Sequence, residues 1–162
     1  MRLRSIRHPL RRFAQVDGRR RALVVEAVAY LLLARLALIF ISFPNLAKRF
    51  GAFMSPADSR AVEARARVSH EQAAAATDIG WAVTRAARYV PFRAVCLPQA
   101  MAARLMLKRR GIASVLHFGG GKARDGLGQN TPYEAHAWLD AAGVEVTGYP
   151  VTKGFVEIGC FV

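Results

Sequence analysis

The segment Cys96 to Gly111, CLPQAMAARLMLKRRG, constrains the fold most, because both ends of a helix are written into it. Pro98 falls in the first turn, where a missing N–H costs nothing, and Gly111 offers a left-handed cap. Lys108, Arg109 and Arg110 suit the negative end of the helix dipole. Leu97, Met101, Leu105 and Leu107 supply apolar surface. Directly afterwards the period changes from helical to extended. IASVLHF reads as a strand, GGGKARDGLGQN as a mobile glycine-rich connection, and YEAHAWLD as a second strand. GVEVTGY is a third, returning through a turn at Ala141, Ala142 and Gly143.

Upstream the pattern is helical. Ala22 to Phe43 is apolar except for Glu26 and Arg35, and Phe43-Pro44 ends or kinks it. A second helix starts after Ser55-Pro56, with Val62, Ala66 and Val68 on its face. A third, Ser69 to Tyr89, has Ser69 as cap and Ile79, Ala82, Val83 and Ala86 as its stripe. Helices first and then a small, largely antiparallel sheet is the α+β order.

At 162 residues, 53% of them hydrophobic, the chain can bury a core without staples. Two cysteines, Cys96 and Cys160, make neither a disulfide framework nor a CxxC site. Four histidines show no HExxH and no paired Cys/His ligands, so no metal is expected. The formal charge of +13 is concentrated in an arginine-rich head, Arg2 to Arg21. Such a field attracts nucleic acid, anionic lipid or acidic protein, but no nucleic-acid recognition element accompanies it. The apolar stretch lacks the small-residue cleavage site of an export signal, which points to the cytoplasm. Arg35 near its centre is costly inside a membrane, by at least ~2.5 kcal/mol. A buried or partner-binding helix is the leading reading, and contact with a membrane surface the alternative.

Cys96 lies where loop becomes helix. Free N–H groups and the positive helix end favour a thiolate there, and can also hold the oxyanion formed when sulfur attacks a carbonyl. A thiol nucleophile needs a base. His136 on the second strand shares a face with Glu134, Trp138 and Asp140, a plausible cleft wall; His117 on the first strand is the rival. Gln99, one turn into the helix, is a candidate oxyanion donor. Gly119-Gly120-Gly121 lacks the phosphate-loop pattern and reads as a hinge, with Gly126 and Gly128 extending it.

VCLPQAMAARLMLKRRGIASVLHFGG followed by YEAHAWLDAAGVEVTG resembles the transglutaminase-like cysteine peptidases of lasso-peptide biosynthesis, the B2 or leader-peptidase proteins. The resemblance runs from about residue 67 to the C-terminus. It implies a papain/transglutaminase-like core at 67–162, after a basic head and apolar helical extension at 1–66. It also implies removal of the leader from a ribosomally made precursor, without metal or organic cofactor. The implied partners are a small leader-recognition protein and a macrolactam-forming cyclase. Cys96 becomes the nucleophile and His136 the base. The family acid is expected about twelve positions after the histidine, and Gly148 stands there. A backbone carbonyl could take its place. Asp140 is the acid available by residue type, although four strand residues, about 13 Å, separate it from His136. Two other readings remain: transfer of the acyl group to an amine, and a non-catalytic basic scaffold at a membrane surface.

Overall fold

The computed structural model describes residues 17–66, 69–122, 133–151 and 153–162. Among the described residues five helices come first: α1 (Gly18–Phe40), α2 (Phe43–Ala47), α3 (Ser59–Arg65), α4 (His70–Ala87) and α5 (Cys96–Arg109). One short strand, β1 (Phe53–Met54), falls among them, and β2 (Val115–Lys122), β3 (Tyr133–Ala141), β4 (Val144–Thr147) and β5 (Val156–Phe161) follow. All pairings are antiparallel, in the order β1-β5-β2-β3-β4. The expected α+β order holds. The sheet gains two strands that sequence patterning did not show, β1 and β5.

Helix α1 packs against α4 and α5 through Leu23, Val24, Ala27, Leu31 and Ala34. Leu31 is fully buried, a contribution of about 2 kcal/mol. Glu26 faces the end of α5, where Arg110 Nη2 donates to it at 2.7 Å and Arg109 Nη1 at 3.4 Å. The hydrogen bond from Arg110 holds the Glu26 carboxyl below its usual range. The opposite face of α1 is exposed at Val25, Leu32, Leu33, Leu36, Ile39 and Phe40.

Several boundaries differ from expectation. Helix α1 stops at Phe40, and Pro44 starts a helix instead of ending one, lying in the first turn of α2 behind the cap Ser42. Helix α3 is capped by Asp58, whose carboxylate accepts from Arg60 N at 3.0 Å, while Ser55 makes only a local turn. The buried residue of α3 is Ala61; Val62 is exposed and Val68 lies outside the described residues. Ser69 caps α4 as expected, accepting from Gln72 N at 3.2 Å.

At the end of α5, Gly111 (φ +67°) closes a Schellman motif. Its N–H donates to Lys108 O, and Ile112 N–H donates to Leu107 O. Three residues after Ile112 the chain enters β2. Arg104 ties the second half of α5 to the sheet, donating to Phe161 O at 3.0 Å and to Phe50 O at 2.7 Å. The triple glycine is ladder, not hinge: Gly119, Gly120 and Gly121 pair with His136, Ala135 and Glu134. A Cβ on Gly119 would lie 2.8 Å from the Trp138 ring, so the glycine makes room for an indole. Gly126 and Gly128 lie outside the described residues.

Candidate active site

Three helices start in different ways. Asp58 and Ser69 cap α3 and α4, whereas Val95 at the start of α5 has no side chain able to accept. Omitting a cap costs a helix about 1 kcal/mol. Here it leaves the N–H groups of Cys96 and Leu97 unclaimed by any capping side chain. Cys96 is half-buried at the margin of the main core. Gln99 is not aimed at an oxyanion. Its Nε2 donates to Ala94 O at 2.7 Å and fastens the loop leading into the cysteine.

Helix α5 packs against β3 and β4. His136 Nε2 donates to the carbonyl of Gly148 at 2.7 Å. A carbonyl can only accept, so Nε2 carries the proton and Nδ1 of the neutral ring keeps its lone pair. The acceptor is the backbone of the position where the resemblance puts the acid. No side chain fits at that position: Gly148 has φ +85°, and a Cβ would lie 2.6 Å from Ala137 O and 2.8 Å from Trp138 Cα. No hydrogen bond links the ring to Cys96 Sγ. His136 shares its face of β3 with Trp138 and Asp140, while Ala137, Leu139 and Ala141 face the helices. Among the described residues, ladder pairing with β4 begins at Leu139, and beside His136 the edge of β3 meets the Gly148 backbone instead.

Asp140 does not reach His136. One oxygen accepts from the Tyr149 hydroxyl and the other lies 3.3 Å from His117 Nε2. The reason is register. Asp140 pairs with Val115 at the far end of β3, while His136 pairs with Gly119.

His117, the rival base, is 1% exposed. Its Nδ1 is bonded to Glu157, and its Nε2 lies 3.3 Å from an Asp140 oxygen in an ion-pair contact without hydrogen-bond geometry. Burial alone would lower its pKa, but the contacts with Asp140 and Glu157 prevail and raise it. Its ring stacks on Trp138 at 5.5 Å and 4°, and Trp138 in turn stacks on His136 at 5.8 Å.

Cys160, His117 and Glu157 form a Cys-His-carboxylate group elsewhere on the sheet, with their Sγ, ring nitrogen and carboxylate oxygen within 4.8 Å of one another. Its residue types are consistent with a cysteine-hydrolase site. Sequence reading missed it because β5 was not foreseen, and only the β2–β5 ladder, with His117 opposite Cys160, brings these residues together. Its thiol is fully buried, donates to Met54 O at 3.7 Å, and is pushed up in pKa by burial and then by Glu157.

A cysteine on a helix start, set against an antiparallel sheet that carries histidine and its acceptor, is the plan of the papain and transglutaminase-like cysteine hydrolases. Residues 37–159 match the model of the transglutaminase-like superfamily. The chain belongs to that superfamily, in the family of the lasso-peptide B2 leader peptidases, and so to a lasso-peptide biosynthetic pathway. No curated protein and no solved structure matches it.

Proposed function

We propose that this chain removes the leader from a lasso-peptide precursor, with Cys96 as nucleophile and His136 as base. The observation that carries this reading is the bond from His136 Nε2 to Gly148 O. It orients the imidazole from the position of the family acid and leaves Nδ1 free to accept a proton. His136 takes the proton from Cys96, the thiolate attacks the scissile carbonyl, and the free N–H groups at the start of α5 hold the oxyanion. The imidazolium returns the proton to the leaving amine. Water then hydrolyses the thioester left on the leader's new C-terminus. A small open site does not select one bond in a flexible chain, so a leader-recognition protein delivers the precursor. A macrolactam-forming cyclase consumes the product.

The test mixes the protein, its recognition partner and the precursor, and reads product masses. Wild type yields leader and core with one water added, while Cys96→Ala and His136→Ala leave the precursor intact. An adduct lacking that water would instead mark acyl transfer to an amine. The second reading, with Cys160, His117 and Glu157 as the working group, is favoured by their proximity and predicts the loss in Cys160→Ala. Intact precursor with a folded wild-type protein and a bound leader would sink both hydrolytic readings and leave the scaffold.

Helix α1 is long and apolar enough to cross a membrane. The proposal extends to a cytoplasmic enzyme whose exposed α1 face, with Leu32, Leu36 and Phe40, rests on a membrane surface. Flotation with anionic vesicles tests this, and an enzyme that stays in the dense fraction refutes it.

A further inference from the structure

We propose that Asp140 is a positioning residue for His136, acting through the Tyr149 hydroxyl on the Gly148 carbonyl. The inference rests on His136 being the catalytic base. It begins with what a carbonyl lacks. A carboxylate on a side chain can be packed into place, whereas a peptide carbonyl points wherever its backbone torsions aim it. Glycine has the freest torsions of any residue. The β4 ladder ends at Thr147 and the next ladder residue is Val156, so among the described residues no strand pairing fixes the Gly148 peptide.

The adjacent residue supplies the missing restraint. Tyr149 is half-buried, and its hydroxyl donates to Asp140. Burial first, and Asp140 next, push the phenol above its ordinary pKa, so it stays a donor throughout the working range. Asp140 is itself anchored: its second oxygen lies 3.3 Å from His117 Nε2, and His117 Nδ1 is engaged by Glu157. The line Glu157, His117, Asp140, Tyr149 therefore runs from β5 through β2 and β3 to the residue beside Gly148. Glu145 and Glu157 add charges facing the same phenol. An acid too far from the imidazole to bond it directly still sets the direction of the group that does.

The experiment uses the full chain with its recognition partner and precursor. Tyr149→Phe removes one oxygen and Asp140→Asn keeps an acceptor for the hydroxyl. With Tyr149→Phe, kcat falls about 10- to 100-fold while KM for the precursor stays near wild type, the scale of a small misplacement of a catalytic group. Asp140→Asn retains most of the turnover that Asp140→Leu loses. The second readout is the slowly exchanging imidazole Nε2–H proton of His136, assigned by its absence in His136→Gln. It persists in wild type and Asp140→Asn and is lost in Tyr149→Phe. Wild-type kcat in Tyr149→Phe, or a protected Nε2–H in that variant, overturns the positioning role while Cys96→Ala remains inactive. An active Cys96→Ala overturns instead the reading on which it rests.

Discussion

The two cysteines sit in surroundings built from the same residue types and differ in what those residues have left to give. At Cys96, the helix start is uncapped and the proposed base, His136, has one ring nitrogen committed to a carbonyl. Near Cys160, the thiol is sealed and its histidine sits between two carboxylates, bonded to Glu157 at Nδ1 and in ion-pair contact with Asp140 at Nε2. Proximity favours the second group and unspent valence the first. A nucleophile needs an approachable sulfur and a base able to accept its proton, so chemistry belongs where bonds are unmade. The enclosed group suits anchorage, gathering β5, β2 and β3 under one buried imidazole.

The sharpest break of this contrast is a pair of substitutions. Cys96→Ala abolishes turnover with the melting temperature little changed. Cys160→Ala keeps turnover and loses about 1 kcal/mol of stability through a small cavity. Product masses and thermal melts decide, and the reverse pattern would exchange the roles of the two regions. A fold-level test follows at Gly148. Restoring the family acid by Gly148→Asp does not help, because the Cβ meets Ala137 O and the backbone at φ +85° resists a side chain. It costs about 3 kcal/mol or more. A soluble, more active Gly148→Asp enzyme would show that the carbonyl is a poor substitute and not a built feature.

Much of this contrast could be read from the residues, for local reasons. The ends of α5 were legible because Pro98 and Gly111 act through their own backbone torsions, and Ser69 likewise marks α4. The hairpin between β3 and β4 was legible at Ala142 and Gly143, both at positive φ. What stayed hidden depends on partners distant in sequence. Strand β5 has no clean alternation, since a bulge beside Gly119 shifts its register. The triple glycine suggested mobility, yet those residues are held in a ladder, with Gly119 close against Trp138 and Val156 O and Gly121 close against Gly154 O and Phe155. Asp140 looked like the available acid because residue type was visible and the bulge and register that turn it toward Tyr149 and His117 were not.

A smaller effect probes the uncapped helix start. Val95→Asp gives α5 the acceptor that α3 and α4 already possess, raising stability by about 1 kcal/mol. The same carboxylate claims the Leu97 N–H, the next residue Pro98 having none, so kcat falls several-fold although the protein is more stable. Chemical melts and turnover measured on one preparation check both signs. A rise in stability with unchanged kcat would place the oxyanion elsewhere.

The smallest effect lies in the anchoring group and is read through pH. His117 has a raised pKa in the folded protein, because Asp140 and Glu157 outweigh the burial that opposes its charge. A raised pKa means that the folded state binds the proton more tightly than the unfolded chain. The stabilisation is therefore complete below the unfolded value near 6.5 and is lost as pH rises through the folded one. Wild type and His117→Gln are melted in parallel from pH 5.5 upward, a range in which the unfolded-chain carboxylates are already largely ionised. The gap between them is widest at the acidic end and narrows as pH rises. A gap that widened instead would mean that His117 is held neutral in the fold. Its ring would then be free to serve the Cys160 thiol, and the division of labour between the two cysteines would fail at its less reactive end.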